Sequence, residues 1–148
     1  MIGLVQRVAE ARVSVAGEVV GAIGRGLLLF VCAEPDDSDA IADRLVAKVL
    51  ALRVFADAAG KMNLDLAAVG GGLLVVSQFT LAADTSRGNR PSFIGAADAA
   101  RGRVLYERVL ATARRLHAGE VAAGEFAADM QVALVNDGPV TIPMAVRG

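Results

Sequence analysis

The sequence of 148 residues contains one cysteine, one histidine and no tryptophan. A single cysteine cannot form a disulfide within the chain, and one histidine with one cysteine provides few of the ligands of a transition-metal site. We therefore expect no disulfide framework, no metal and no cofactor. Cys32 lies inside the apolar run 27–33, which favours a small buried thiol over a nucleophile.

Long apolar runs and a large net charge are missing as well. No run reaches the roughly 18 residues of a membrane-spanning helix, and the first residues read as a strand rather than as a secretion signal. We expect a cytoplasmic protein with no membrane partner. The formal charge of −1 argues against a broad polyanion-binding surface.

Arginines nevertheless concentrate in one third of the chain. Such a cluster is typical of a solvated helical face and, less often, of a phosphate-binding patch. Both interpretations stay open for this group, which comprises Arg87, Arg90, Arg101, Arg103, Arg108, Arg114 and Arg115.

The apolar fraction is 55%, which suits a single globular domain over residues 1–148. Valine-rich runs separated by Ala16-Gly17-Glu18 predict an antiparallel hairpin, and 27–33 predicts a further strand. Two helices are predicted, from about Ser38 to Leu52 and from the cap Asp98 to about His117. The predicted inner side of the second helix contains Val104, Leu105, Val109, Ala113 and Leu116.

The C-terminal region predicts strand, turn and strand. Residues 130–135 and 140–146 are strand-like, and Asn136-Asp137-Gly138-Pro139 between them has the composition of a turn. Pro143 inside the last strand indicates an edge or irregular position, because proline has no amide to donate to a neighbouring strand.

The stretch Leu73–Leu81 joins a purely apolar run to polar residues without a break. Residues 73–76 predict a strand buried on both faces. Leaving a buried hydroxyl or amide unpaired costs about 1–3 kcal/mol. Ser77, Gln78 and Thr80 are therefore either bonded internally or directed at a ligand. The polar loop 82–92 follows them, and surface loops in such a position often bind ligands.

Two further residues have alternative interpretations. Arg7 interrupts the first strand, which indicates an edge-strand or snorkelling arginine. His117 at a helix C-terminus would complement the helix dipole when protonated. A Ser-His pair between His117 and Ser77 or Thr80 is a weaker hypothesis, since nothing in the sequence brings these residues together.

Several motifs together resemble the D-aminoacyl-tRNA deacylase family. They occur in family order and span the chain, although Ile142-Pro143-Met144 stands where the family carries bulkier or aromatic residues. The matching segments are Gln6-Arg7-Val8, Lys61-Met62-Asn63-Leu64, Ser77-Gln78-Phe79-Thr80-Leu81, Arg90-Pro91-Ser92-Phe93, Phe126 to Met130 and Asn136-Asp137-Gly138-Pro139-Val140-Thr141.

The resemblance implies an α/β (α+β) fold, an antiparallel-rich β-barrel-like sandwich with two main helices, which forms a homodimer. It also implies hydrolysis of D-aminoacyl-tRNA and of mischarged glycyl-tRNA at the tRNA 3′ end, with L-aminoacyl-tRNA spared. The site would lie at the subunit interface. Its implied residues are catalytic Ser77, Gln78, Phe79 and Thr80, with Gly138, Pro139, Arg7, Met130 and Asn136 for substrate binding and chiral selection.

The expected mechanism uses an oxyanion hole from the amide of Phe79, with that of Thr80, and assistance from the 2′-hydroxyl of the terminal adenosine. A cis Gly138-Pro139 bond, about 0.5–1 kcal/mol above trans, would direct two carbonyls to one side, and Arg7 would hold that loop. Thr80 as covalent nucleophile is the lower-ranked alternative, because no base is placed beside it. A noncatalytic module that binds the tRNA 3′ end is the alternative function.

Overall fold

The computed structural model describes all residues 1–148, which form eight β-strands, two α-helices and one short 3-10 helix. In chain order these are β1 (Ile2–Val15), β2 (Glu18–Ile23), β3 (Gly26–Cys32), α1 (Asp39–Ala51), β4 (Phe55–Ala56), β5 (Met62–Leu64), β6 (Gly72–Ser77), the 3-10 helix (Phe79–Ala82), α2 (Ala99–Leu116), β7 (Val121–Ala123) and β8 (Met130–Ala145).

Six strands form the main sheet, in the order β2-β1-β3-β6-β7, with β8 also paired to β1. The three pairs that involve β1 are antiparallel, whereas β6 is parallel to both β3 and β7. β7 returns towards β2 so closely that a Cβ on Gly21 would overlap the backbone oxygen of Ala123. This nearly closed sheet with two helices confirms the predicted barrel-like α+β fold.

The sheet separates two apolar clusters. The larger one packs β1, β3 and β6 against both helices, through residues such as Leu29, Val75, Leu45 and Val109. The smaller one lies on the opposite face of the strands and includes Val76. Because side chains alternate along a strand, both faces of β3 and β6 are buried, as predicted for 73–76. None of the helices is long and apolar enough to cross a membrane.

Both helices begin where the sequence predicts, the first at Ser38 and the second at the cap Asp98. The Ser38 hydroxyl accepts from the amide of Ile41, and the Asp98 carboxylate accepts from the amide of Arg101 at 2.8 Å. Each cap satisfies an amide that has no partner inside the helix. The ends also agree, at Ala51 and Leu116.

The predicted inner side of α2 is wrong at two positions. Val104 is 52% exposed and Leu116 is 46% exposed. The buried stripe runs instead through residues at spacings of three and four, which is the geometry of one helix face. It consists of Leu105, Tyr106, Val109, Thr112 and Ala113.

The turn predicted at residues 136–139 is wrong, because β8 continues through it as one strand. Gln6 pairs with Thr141 and Val8 pairs with Asn136, so two steps along β1 correspond to five along β8. The surplus residues form a bulge that keeps the strand direction. Glycine and proline are signals for bulges as well as for turns, and the sequence alone does not separate the two. Pro143 lies on this strand, which has β1 as its only partner and is therefore an edge strand, as predicted.

Candidate active site

A cavity of about 620 Å³ opens at the carboxyl end of β6. One wall is the end of β3, including Cys32. The segment 77–79 at the end of β6 forms the wall next to it. The remaining walls come from the loop and first turns of α2, including Tyr106, and from the segment 126–132 before and within β8. Sixteen of the 21 residues around it are hydrophobic, so an apolar group can enter it while a few polar groups fix its orientation.

The buried strand β6 positions the polar segment. At its start, a Cβ on Gly26 would overlap the backbone oxygen of Gly72, so β3 and β6 can pair at this point because residue 26 is glycine. At its end, the amide of Gln78 donates to the carbonyl of Val31 at 2.8 Å. The chain then leaves the sheet and enters the 3-10 helix at Phe79.

Two backbone donors are free at this point. The amides of Phe79 and Thr80 donate to no acceptor of the protein, as expected for the first residues of a helix. The Gln78 side chain donates to the Thr80 hydroxyl at 2.6 Å. The Phe79 ring is 57% exposed and meets Phe93 edge to face, with ring centroids 5.2 Å apart. The segment therefore presents unpaired N–H groups beside an aromatic pair, in which Phe79 is exposed and Phe93 is half-buried.

The thiol of Cys32 and the phenol of Tyr106, which line the cavity, are poor bases at neutral pH. Burial raises the pKa of the Cys32 thiol, with a further contribution from the charge of Glu34. Burial also raises the pKa of Tyr106 to about 12, and its hydroxyl donates to the Val75 carbonyl at 3.0 Å. Cys32 is buried as predicted, and its sulfur lies 3.5 Å from the carbonyl oxygen of Phe79.

His117 lies at the opposite end of β6. Its Nε2 is 2.9 Å from the carbonyl oxygen of Gly71, and the ring is buried. Six residues of strand separate Gly71 from Ser77, which corresponds to roughly 20 Å. The hypothesis of a Ser-His pair is therefore wrong.

The bulge in β8 is held by side chains. Arg7 donates from Nε to the carbonyl of Asp137 at 3.0 Å and from Nη1 to the carbonyl of Val54 at 2.6 Å. The Asn136 side chain accepts from the amide of Val140 and donates to the hydroxyl of Thr141. The Arg7 side chain is 15% exposed, and β1 has partners on both sides, so Arg7 is not on an edge strand.

Gly138 and Pro139 form the tip of this bulge. The peptide bond between them is cis, and Gly138 has φ of +134°. A Cβ at Gly138 would lie 3.0 Å from Nη2 of Arg7 and 2.9 Å from Cγ2 of Val140. Only glycine fits this backbone conformation and this space. Both residues are exposed.

The structure brings together some of the expected site residues and separates others. Ser77, Gln78, Phe79 and Met130 line the cavity, and Thr80 follows directly. The group that does not line it comprises Arg7, Asn136, Gly138 and Pro139.

Sequence reasoning missed part of the cavity wall. Gly102 in α2 faces the Phe126 ring, whose Cζ would lie 3.6 Å from a Cβ at Gly102. Phe126 also packs on Tyr106, with centroids 5.7 Å apart. A glycine inside a helix costs about 1 kcal/mol of stability relative to alanine. Its presence at position 102 was therefore the one signal in the sequence that another side chain packs closely against this part of α2.

Comparison with known proteins supports one family. Residues 4–145 match the family model described as D-Tyr-tRNA(Tyr) deacylase. A protein of Methylibium petroleiphilum named D-aminoacyl-tRNA deacylase is 67% identical over 99% of this chain and 95% of its own length. One of Aromatoleum aromaticum with the same name is 64% identical, with the same shares of each chain covered.

Solved structures agree with these sequence matches. The structure of a protein named c-Myc DNA Unwinding Element Binding Protein has a TM-score of 0.94 and 36% identity over all of both chains. That of a probable eukaryotic D-amino acid tRNA deacylase has a TM-score of 0.85 and 16% identity over 97% of both chains, which shows the fold. The chain therefore belongs to the D-Tyr-tRNA(Tyr) deacylase family, which confirms the resemblance seen in its sequence and makes it a hydrolase of the D-aminoacyl-tRNA deacylase class.

Proposed function

We propose that this protein hydrolyses the ester bond of D-aminoacyl-tRNA and of mischarged glycyl-tRNA, releasing free amino acid and tRNA, and that it rejects L-aminoacyl-tRNA. The observation that carries the proposal is the pair of free amides of Phe79 and Thr80 beside a cavity of about 620 Å³. We further propose that residues 1–148 act as a single domain in the cytoplasm, where aminoacyl-tRNA is used.

The two amides serve as the oxyanion hole. As water attacks the ester carbonyl, negative charge develops on its oxygen, and N–H groups already directed at that position stabilise it without reorganisation. Removal of one such donor costs about 2.7–4 kcal/mol in other enzymes. Ser77 and Gln78 contribute by fixing the chain just before these amides. Ser77 is the last residue of β6 and pairs with Val31, and Gln78 bonds to Val31 and to Thr80.

The substrate supplies the group that assists proton transfer. Cys32 and Tyr106 keep their protons at neutral pH, because burial raises both pKa values. The 2′-hydroxyl of the terminal adenosine lies next to the 3′ ester, so it can orient the attacking water and pass a proton to the departing 3′ oxygen. Thr80 is the weaker candidate for nucleophile, since its hydroxyl contacts the Gln78 amide and no base.

Chirality is selected at Gly138-Pro139 by exclusion. A misplaced methyl group in an apolar pocket discriminates by only about 1–3 kcal/mol. Main-chain carbonyls standing where the Cβ of an L-residue projects would instead block the L-ester, accept from the ammonium of a D-ester, and admit glycine. Support comes from the bonds of Arg7 and Asn136, which hold the bulge in one conformation.

The active site is composite, between two copies of the chain. Gly138 and Pro139 do not line the cavity of their own chain, and they project from β8, an exposed strand paired only with β1. A symmetric homodimer in which each bulge reaches the partner's cavity would unite both sets of residues, with Met130 on the cavity wall. Closed two-fold symmetry is the commonest arrangement of homo-oligomers.

The alternative function is a noncatalytic module that binds the tRNA 3′ end. One structural neighbour has a name that refers to DNA binding, but a net charge of −1 does not favour a broad polyanion-binding surface. Single-turnover hydrolysis separates the alternatives, because a binder protects the ester and an enzyme cleaves it.

The test is an enzyme titration against D-alanyl-, glycyl- and L-alanyl-tRNA. We expect cleavage of the first two at enzyme concentrations that leave the L substrate intact. Protection of D-alanyl-tRNA from spontaneous hydrolysis would identify a binder instead. Comparable rates on the D and L substrates would refute chiral exclusion.

A further inference from the structure

Three arginines near the cavity have no acidic partner. Arg87, Arg90 and Arg103 are exposed and take part in none of the ion pairs or side-chain hydrogen bonds of the protein. Six other arginines are engaged, since Arg7, Arg44, Arg53, Arg101, Arg108 and Arg147 all donate to oxygens of the protein. Arg12, Arg25, Arg114 and Arg115 are unpaired as well, but none of them is on the cavity wall or on the segment between Phe79 and Phe93. The three free guanidinium groups are therefore available to an outside ligand.

Arg87 and Arg90 lie on a short loop in the segment between two residues that line the cavity, Phe79 and Phe93. Asp84 and Ser92 close the loop through two backbone hydrogen bonds of 2.8 and 2.9 Å. The next residue, Phe93, lines the cavity and contacts Phe79. Three residues span at most about 11 Å, so the backbone of Arg90 lies within that distance of Phe93.

Arg103 flanks the cavity from the helix side. Its guanidinium carbon lies 4.7 Å from the centroid of the Phe126 ring, and Phe126 lines the cavity. Stacking on an aromatic face fixes the guanidinium plane and leaves its N–H groups directed outward. Basic groups thus stand on two sides of the cavity.

The nearby carboxylates do not neutralise these arginines by contact. Asp84 accepts from the Ser86 amide at 2.9 Å, and hydrogen bonds from Ser86 lower the pKa of Asp84. Asp98 accepts from the amide of Arg101 as the cap of α2. Asp129 lines the cavity but forms no ion pair with the arginines.

We propose that Arg87, Arg90 and Arg103 bind backbone phosphates of the tRNA acceptor end as it leaves the cavity, an inference that rests on the proposed function. An aminoacyl ester that enters the cavity is followed by nucleotides that each carry one phosphate. Planar guanidinium groups match phosphate oxygens with paired N–H donors. The free arginines on the two sides of the cavity would hold the strand across its opening.

The test compares two substrates that share the ester. D-alanyl-tRNA carries the phosphates, whereas adenosine with a 3′-O-D-alanyl ester carries none. For the double variant Arg87→Gln/Arg90→Gln, we expect the ratio of kcat/KM on the tRNA to kcat/KM on the adenosine ester to fall about tenfold. The salt dependence of log kcat/KM on the tRNA should become shallower by roughly 1.4, which corresponds to two lost contacts.

Arg115→Gln is the matched control. Arg115 is exposed on the same helix as Arg103, and twelve residues of helix separate the two by about 18 Å. We expect its substrate ratio to equal that of the wild type. Arg103→Gln should lower the ratio as the double variant does, but by less because it removes one contact.

The outcomes separate this inference from the proposed function. A wild-type protein that cleaves neither substrate would refute the proposed function. A wild-type protein that cleaves both, together with a double variant whose ratio and salt slope are unchanged, would refute the role of the arginines. An equal loss in Arg115→Gln would show a diffuse charge effect and would also overturn the assignment.

Discussion

The segment 77–80 and the bulge at 136–140 of β8 carry the two halves of the proposed site, yet they are built in opposite ways. The first follows a strand buried on both faces, lines a cavity and leaves two backbone amides free. The second is largely exposed, lines no part of that cavity and is held by side-chain bonds from Arg7 and Asn136.

This difference indicates different tasks. Free donors beside an apolar cavity suit the stabilisation of charge that appears only during reaction. Restrained backbone on an exposed edge strand suits contact with something outside the chain. We therefore propose that the first region acts in catalysis within its own chain, and that the second acts in selection at the site of another copy.

The largest effect is expected from the substrate. D-alanyl-tRNA ending in 2′-deoxyadenosine should be cleaved about 10²–10⁴-fold more slowly, because it lacks the hydroxyl that transfers the proton. Single-turnover rates at saturating enzyme measure this, with affinity matched by competition binding. Equal rates would show that the 2′-hydroxyl is not needed for proton transfer. The protein would then have to supply the base, which contradicts the proposed mechanism.

Gly138→Ala should lower D-alanyl-tRNA cleavage by about a hundredfold, since small misplacements in a site have effects of that size. The added Cβ would lie within about 3 Å of Arg7 and Val140, at a φ of +134°. L-alanyl-tRNA should remain uncleaved. Gly24→Ala is the control, because a Cβ there meets nothing within 4 Å and its φ is ordinary. Efficient L cleavage by the Gly138 variant would show that the bulge is no chiral filter.

Arg7→Gln should reduce the ratio of D to L cleavage about tenfold. The change removes donors to the carbonyls of Asp137 and Val54, with bonds to charged groups worth about 1.5–3 kcal/mol, and so loosens the bulge. Arg12→Gln, an exposed change on the same strand, is the control. A lower melting temperature with an unchanged D to L ratio would limit Arg7 to a structural role.

Thr80→Ala should have the smallest effect and keep activity within about tenfold, since backbone donors survive a side-chain change. The variant loses only the bond from Gln78 to the hydroxyl. Rates on D-alanyl-tRNA and mass spectrometry of quenched reactions provide the measurement. An acyl group trapped on Thr80 would establish covalent catalysis instead.

Local signals predicted the elements that local physics determines. The run of apolar residues in 73–76 determines a strand buried on both faces. Ser38 and Asp98 cap their helices through bonds to amides only three residues away. The family motifs identified the polar segment after β6. These features depend on residues close to one another in sequence, so the pattern was sufficient.

Features that depend on distant partners were not predictable. Asn136 to Pro139 has the composition of a turn, and only its pairing with β1 makes it a bulge. Val104 has the hydropathy of a core residue, but its place on the helix faces solvent. The wall formed by Gly102 and Phe126 joins residues from separate elements, which no local pattern specifies.

Complementation between two defective variants tests the central claim that each site combines two chains. Phe79→Pro removes one oxyanion donor, because proline has no N–H, and Gly138→Ala disables the bulge. Each variant alone should be nearly inactive. A purified heterodimer of the two should recover about half of wild-type activity on D-alanyl-tRNA, because one of its two symmetric sites is then free of both changes. A heterodimer as inactive as its parents would place the whole site within one chain and contradict the account.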